Sequence, residues 1–207
     1  MNKKQVVLIG YSGHAHVVQD ILQLNGRTVV GYCELEEKKD KPSNLMYLGQ
    51  ETDTMVLAKL KEYDCFVAIG ENTVREKTSR YLLDNGICLI NAIHPSASVS
   101  ASAILGTGVM IGPNSVINAN ASIQDGVVCN SGSVVEHDCQ VGAFSHICPG
   151  AVLGGNVNIG ELTLIGTGAV ILLNLCIGNC VTVGAGTVVI KSIKDNMKVV
   201  GNPHQPI

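Results

Sequence analysis

Beginning at Val99 and stepping by six, the chain reads Val99, Leu105, Ile111, Ile117, Ile123, Cys129, Val135, Val141, Ile147, Leu153, Ile159, Ile165, Ile171, Ile177, Val183 and Val189. Fifteen of these sixteen are Val, Ile or Leu, and no insertion breaks the phase. A period of six is neither the 3.6 of a helix nor an unbroken two. It fits short strands joined by tight corners, three of which close a triangular coil of eighteen residues. Stacked coils then pair their strands and bury an aliphatic column. Four residues after each register sits a mostly small side chain, such as Ala103, Ser115, Ala121, Ser133, Cys139, Ser145, Ala151 or Ala169. One residue after, Gly recurs at 106, 112, 142, 154, 160, 166, 178 and 184, as expected where backbone needs unusual dihedrals or close approach. Only 3% of the residues are aromatic, so the core must be built from small aliphatic groups, without the rings that fill most sandwiches.

The first ninety residues follow another rule. Val6 to Ile9 reads as a buried strand, Gly10-Tyr-Ser-Gly13-His-Ala as a turn, and His16 to Leu24 as a helix closed by Asn25-Gly26. A second strand is predicted over Thr28 to Tyr32, then a polar loop through Pro42, a helix over Thr54 to Glu62 and a third strand over Cys65 to Ile69. A last helix covers Asn72 to Leu83 and a fourth strand Ile87 to Ile90. Strands alternating with helices imply βαβ units and a parallel sheet. The expected organisation is a small Rossmann-like α/β domain over residues 1–92 and a coil domain over 93–207. Gly10 and Gly13 at a strand-to-helix turn suit a phosphate, or simply a tight turn. Glu34 and the run Gly70, Asn72 and Arg75 share the carboxyl-end rim of that sheet, where open α/β sheets bind ligands.

The charge of −3 and the absence of a basic block argue against nucleic acid as a partner. No stretch approaches the ~18 apolar residues of a membrane span, and the opening apolar run reads as a strand rather than a leader. Eight cysteines show neither CxxC pairs nor zinc spacing, so they read as reduced apolar fillers in a cytoplasmic protein.

Only His137 and His146 lie within the repeats, in Asn130-Ser-Gly-Ser-Val-Val-Glu136-His137-Asp138-Cys-Gln-Val-Gly-Ala-Phe-Ser-His146. Counting from Val135 puts His137 and Asp138 at a corner. His146, between inward Ser145 and Ile147, should point outward. The repeat resembles the hexapeptide-repeat acyltransferases, whose fold is a left-handed parallel β-helix. With Gly10-Tyr-Ser-Gly-His14, Ala68-Ile-Gly70, His94-Pro95 and Val200-Gly-Asn-Pro203, the chain resembles their sugar-nucleotide acetyltransferases, the bacillosamine-pathway N-acetyltransferase and sialic-acid O-acetyltransferase group.

The resemblance implies an acetyl-CoA-dependent N-acetyltransferase acting on a nucleotide-linked amino-deoxy sugar, with no metal. It assigns His137 as general base and Asp138 as the acid beside it, where relatives can carry Glu. His146, Gly155, Thr167 and Ala185 fall to acetyl-CoA. Gly155, eighteen residues beyond His137, is expected to leave room for the thioester and to offer its N–H to the oxyanion. Asn130 together with Ser12, Gly13, His14, Cys33, Glu34, Gly70, Asn72 and Arg75 falls to the nucleotide sugar, Cys33 standing where some relatives carry an acid. A homotrimer is likewise implied. The alternatives are O-acetylation of a sialic acid, a γ-carbonic-anhydrase-like metalloenzyme, which needs three converging histidines, and a non-catalytic scaffold.

Overall fold

The computed structural model describes residues 4–38 and 44–207. The chain divides into two compact units, with the boundary between Ala92 and Ile93.

In the first unit the elements run β1 (Val6–Ile9), α1 (Gly13–Leu24), β2 (Val29–Cys33), β3 (Met46–Tyr47), α2 (Thr54–Leu60), β4 (Asp64–Val67) and α3 (Asn72–Asp84). They form one parallel sheet in the order β3-β2-β1-β4. All four residues of β1 are buried, as a central strand covered on both faces requires. α1 turns Ala15, Val18, Ile21 and Leu22 inward at helical spacing. It starts three residues earlier than predicted because Ser12 takes the extended N-cap conformation. Asp53 and Glu71 cap α2 and α3 by accepting from the N–H groups of Met55 and Val56, and of Thr73 and Val74.

The sheet differs from the sequence expectation at both edges. The fourth strand at Ile87 to Ile90 shrinks to a single bridge, Leu89 to Cys65, held by the bonds Cys65 N–H to Cys88 O and Ile90 N–H to Cys65 O. The edge opposite β4 is instead β3, two residues paired with Gly31 and Tyr32. So short a strand has no period of its own. Part of the loop predicted through Pro42, residues 39–43, lies outside the described residues.

The second unit is the left-handed parallel β-helix. Its two-residue strands pair at increments of eighteen, as in Val128↔His146↔Leu164 and Val134↔Val152↔Val170. Every register from Ile111 to Val189 is buried, while Val99 and Leu105 pack partly against the same core. The small inward position tolerates hydroxyls where they find a hydrogen-bond acceptor. Ser115 Oγ donates to Asn130 O, Ser145 Oγ to Gly160 O and Thr163 Oγ1 to Gly178 O, all at 2.7 Å.

The recurrent glycines serve close approach alone. A Cβ on Gly142 would stand 2.6 Å from the Gly160 carbonyl carbon, and one on Gly166 the same distance from Ala185 N. The left-handed backbone falls two residues later. Asn114, Asn120, Asp138, Asn156 and Asn174 take it with φ between 56° and 61°, and asparagine and aspartate tolerate that region better than most residues.

Three sides follow. The first carries Ser98–Val99, Val116–Ile117, Val134–Val135, Val152–Leu153, Val170–Ile171 and Val188–Val189. Its outward residues form a column of half-buried valines at 116, 134, 152, 170 and 188. On the second side the corresponding residues are Ser122, Gln140, Asn158 and Cys176, and on the third Val128, His146, Leu164 and Thr182. The edge entering the first side stacks Ser131, Pro149, Thr167 and Ala185, and the edge leaving it stacks Ala119, His137, Gly155 and Leu173.

Candidate active site

His137 and Asp138 occupy the corner that leaves the first side. The corner is bolted to both neighbouring coils, by Asp138 N–H to Ala119 O and Asn156 N–H to His137 O, each 2.9 Å. With φ of 61°, Asp138 turns its carboxylate back onto the preceding imidazole, and Oδ2 lies 2.8 Å from His137 Nδ1. A carboxylate only accepts, so Nδ1 carries the proton and Nε2 presents its lone pair. That hydrogen bond, with the negative charges of Asp138 and Glu136, holds the imidazole above its usual pKa. Asp138 is held below the usual carboxylate range by the same bond and by Asn120. Both side chains are more than half exposed, so the imidazole is open to solvent.

Two supports went unread in the sequence. Asn120 Nδ2 donates to Asp138 Oδ1 at 3.1 Å, leaving Oδ2 facing the histidine. Glu136 Oε2 accepts from Asn118 Nδ2 at 3.0 Å and from the His137 N–H at 3.3 Å. Both amides sit eighteen residues before their carboxylates, the step that had already linked Gly155 to His137.

Gly155 stacks over His137, but the room it leaves is the imidazole's own. A Cβ there would stand 2.6 Å from Nε2 and 2.7 Å from Cε1. At comparable corners the N–H is spent on a side chain, as in Ala119 on Asn118 and Ser131 on Asn130. Among the described residues the Gly155 N–H has no such partner. It remains available beside the imidazole.

The residues assigned to acetyl-CoA otherwise lie elsewhere. His146 is partly buried on the third side, its Nε2 3.2 Å from Asn130 Nδ2. Thr167 and Ala185 stack on the edge entering the first side. Within one chain they stand a full side away from His137, on the order of 15 Å at ~3.3 Å per residue.

At the sheet rim of the first unit, Gly10 has φ of 89°, and a Cβ there would meet Ile69 Cγ1 at 2.7 Å. Ser12 caps α1 without a side-chain cap bond, and Gly13 and His14 open the helix. Burial, and then the charge of Arg75, press His14 down to about 4, so its ring is neutral. Arg75 is only 1% exposed and donates to Ile69 O, Gly70 O and Asn72 Oδ1. It braces the loop after β4, so Gly70, Asn72 and Arg75 do form one cluster. Glu34 accepts from the Tyr11 N–H at 3.1 Å and ties the end of β2 to the turn after β1. Cys33 is fully buried beneath it. The other cysteines divide: Cys65, Cys129 and Cys139 are buried, Cys148 is partly so, and Cys88, Cys176 and Cys180 are exposed rather than core fillers. Among the described residues no group of three His, Cys, Asp or Glu could hold a metal ion, and no helix is long and apolar enough to cross a membrane.

The PglD N-terminal domain family matches residues 5–82. UDP-N-acetylbacillosamine N-acetyltransferase of Bacillus subtilis (strain 168) is 33% identical over 110 residues, 52% of this chain. The match spans about half, 51%, of that curated relative. PerB of Caulobacter crescentus, solved with CoA and GDP-perosamine, is 38% identical with a TM-score of 0.90, over 98% of this chain and 97% of its own. The acetyltransferase domain of PglB from Neisseria gonorrhoeae FA1090, solved with acetyl coenzyme A, is 34% identical with a TM-score of 0.92 over the whole of both chains. Repeat, corner dyad and likeness from end to end agree: this chain belongs to the hexapeptide-repeat sugar-nucleotide acetyltransferases.

Proposed function

We infer that the protein transfers the acetyl group of acetyl-CoA to the amino group of a nucleotide-linked amino-deoxy sugar. The observation that carries this is an exposed imidazole with Nδ1 fixed on Asp138 and Nε2 free, beside an uncommitted backbone N–H. The whole-chain likeness to proteins solved with CoA and GDP-perosamine supports it. The sugar amine attacks the thioester carbonyl and loses its proton to His137 Nε2. Asp138 offsets the positive charge gained by the ring. The Gly155 N–H is placed to donate to the oxyanion of the tetrahedral intermediate. Collapse of that intermediate breaks the C–S bond, and the imidazolium returns its proton to the departing thiolate.

On this reading the site draws on two copies of the chain. The side separating the His137 edge from the Thr167 edge is the one with the valine column. Three copies packed with that side toward a common axis bury the valines and set the His137 edge of one against the Thr167 edge of the next. We therefore propose a homotrimer, with His137, Asp138 and Gly155 supplied by one copy and His146, Thr167 and Ala185 by its neighbour. The nucleotide is assigned to the rim at Ser12, Gly13, His14, Cys33, Glu34 and Gly70, with buried Asn72 and Arg75 bracing the loop behind it. The cytoplasm, where thiols stay reduced, suits a chain whose eight cysteines are all free.

Thiol release from acetyl-CoA, followed with UDP-, dTDP- and GDP-linked 4-amino sugars and with free sialic acid, tests the activity. An amino-sugar nucleotide should show the highest kcat/KM. A preference for sialic acid would replace N-acetylation by O-acetylation, and no release with any acceptor would remove the enzymatic reading.

A further inference from the structure

Beyond the ends of β1 and β2 lies a cavity of about 210 Å³, walled by Ile9, Ile69 and Val74 and bordered by Cys33, Glu34 and Glu51. Its two carboxylates are not equivalent. Glu34 is committed to its own chain, with Oε2 accepting from Tyr11 N–H and Oε1 from Leu35 N–H, both 3.1 Å, and Lys38 Nζ 3.7 Å from Oε2. Glu51, half-buried in the loop between β3 and α2, has neither a hydrogen bond nor an ion pair among the described residues. Burial and the Glu51 charge push the Cys33 thiol up to about 12, so the group beside Glu51 stays neutral.

Apolar walls with one uncommitted anionic acceptor suit a flat ring that presents N–H donors. Guanine carries N1–H and its 2-amino group side by side, spaced for the two oxygens of one carboxylate. Uracil and thymine set N3–H between two carbonyls, whose oxygens a carboxylate repels. Adenine and cytosine each offer one amino donor next to an acceptor nitrogen. Thr78 on α3 lines the same cavity and has a hydroxyl able to donate to the guanine carbonyl. The phosphates would lie toward the N-terminus of α1, at Ser12 and Gly13.

We propose that Glu51 reads the N1–H and 2-amino edge of a guanine, so that the amino sugar arrives as its GDP derivative. The proposal rests on the nucleotide-sugar reading above and adds the identity of the base to it. Calorimetry with GDP, IDP, UDP and dTDP on the full chain tests it, with Glu51→Gln alongside. GDP should bind at least about tenfold more tightly than UDP or dTDP. IDP, which lacks the 2-amino group, should lose about tenfold against GDP. Glu51→Gln should weaken GDP binding and flatten the GDP–IDP difference while CoA binding and melting temperature stay unchanged. Should that variant not fold, the four nucleotides on the wild-type chain decide the matter. Equal binding of GDP and IDP, or a preference for UDP or dTDP, overturns the base assignment and leaves the nucleotide-sugar reading standing. Binding of none of the four, with CoA still bound, overturns that reading and the proposal with it.

Discussion

The base role proposed for His137 depends on what its two nitrogens face, and each partner can be removed separately. His137→Ala should lower kcat by roughly 10²–10⁴, the usual worth of a general base, while calorimetry still finds CoA bound. A general base works in its neutral form, so activity should rise with pH through a pKa that Asp138 holds above the ordinary value. Asp138→Asn removes the anion and should move that acidic limb of kcat/KM to lower pH, with slower turnover. An unmoved limb would falsify the role of Asp138. Asn120→Gly keeps the left-handed backbone and removes only the amide. It should cost kcat several-fold with the KM for acetyl-CoA unchanged. The His–Asp pair was legible in the sequence because the two residues are adjacent. Asn120 was hidden, although the same eighteen-residue step used for Gly155 points to it.

At the scale of elements, the coil is held by its inward column and by glycines that let successive corners approach. Ile147→Ala should cost about 2–5 kcal/mol in denaturant unfolding, the range for emptying a buried aliphatic site. Gly155→Ala tests a corner instead of the core. Its Cβ would displace the imidazole, so turnover should fall while melting temperature changes little, a pairing that kinetics and thermal melting read together. The period of six was plain because every coil repeats the same packing problem. In the first unit nothing repeats, so Ile87–Ile90 reads as a strand it does not form and Met46–Tyr47 carries no strand signal. Edge strands of one or two residues are decided by which neighbour offers free backbone groups, and composition does not record that.

For the whole molecule, the proposed trimer rests on the valine column. Val152→Glu on the outward face should turn a species of about 65 kDa, three times 21.7 kDa, into single chains by light scattering. Activity should be lost while the circular dichroism of the coil persists. Co-expressing His137→Ala with Thr167→Trp should restore activity that neither variant has alone, because one mixed interface then joins an intact His137 edge to an intact Thr167 edge.

The sequence alone carries the coil, its register, the pairing of His137 with Asp138 and the βαβ character of the first unit, because each is written in a period or in adjacent residues. The tertiary structure settled which short edge strand completes the sheet of the first unit. It also decided which polar groups are already committed: Arg75 and Glu34 are bound to their own chain, whereas the Gly155 N–H is uncommitted among the described residues. Those outcomes depend on partners far apart in the chain, whose meeting is set by closure of the coil and the sheet rather than by any local pattern.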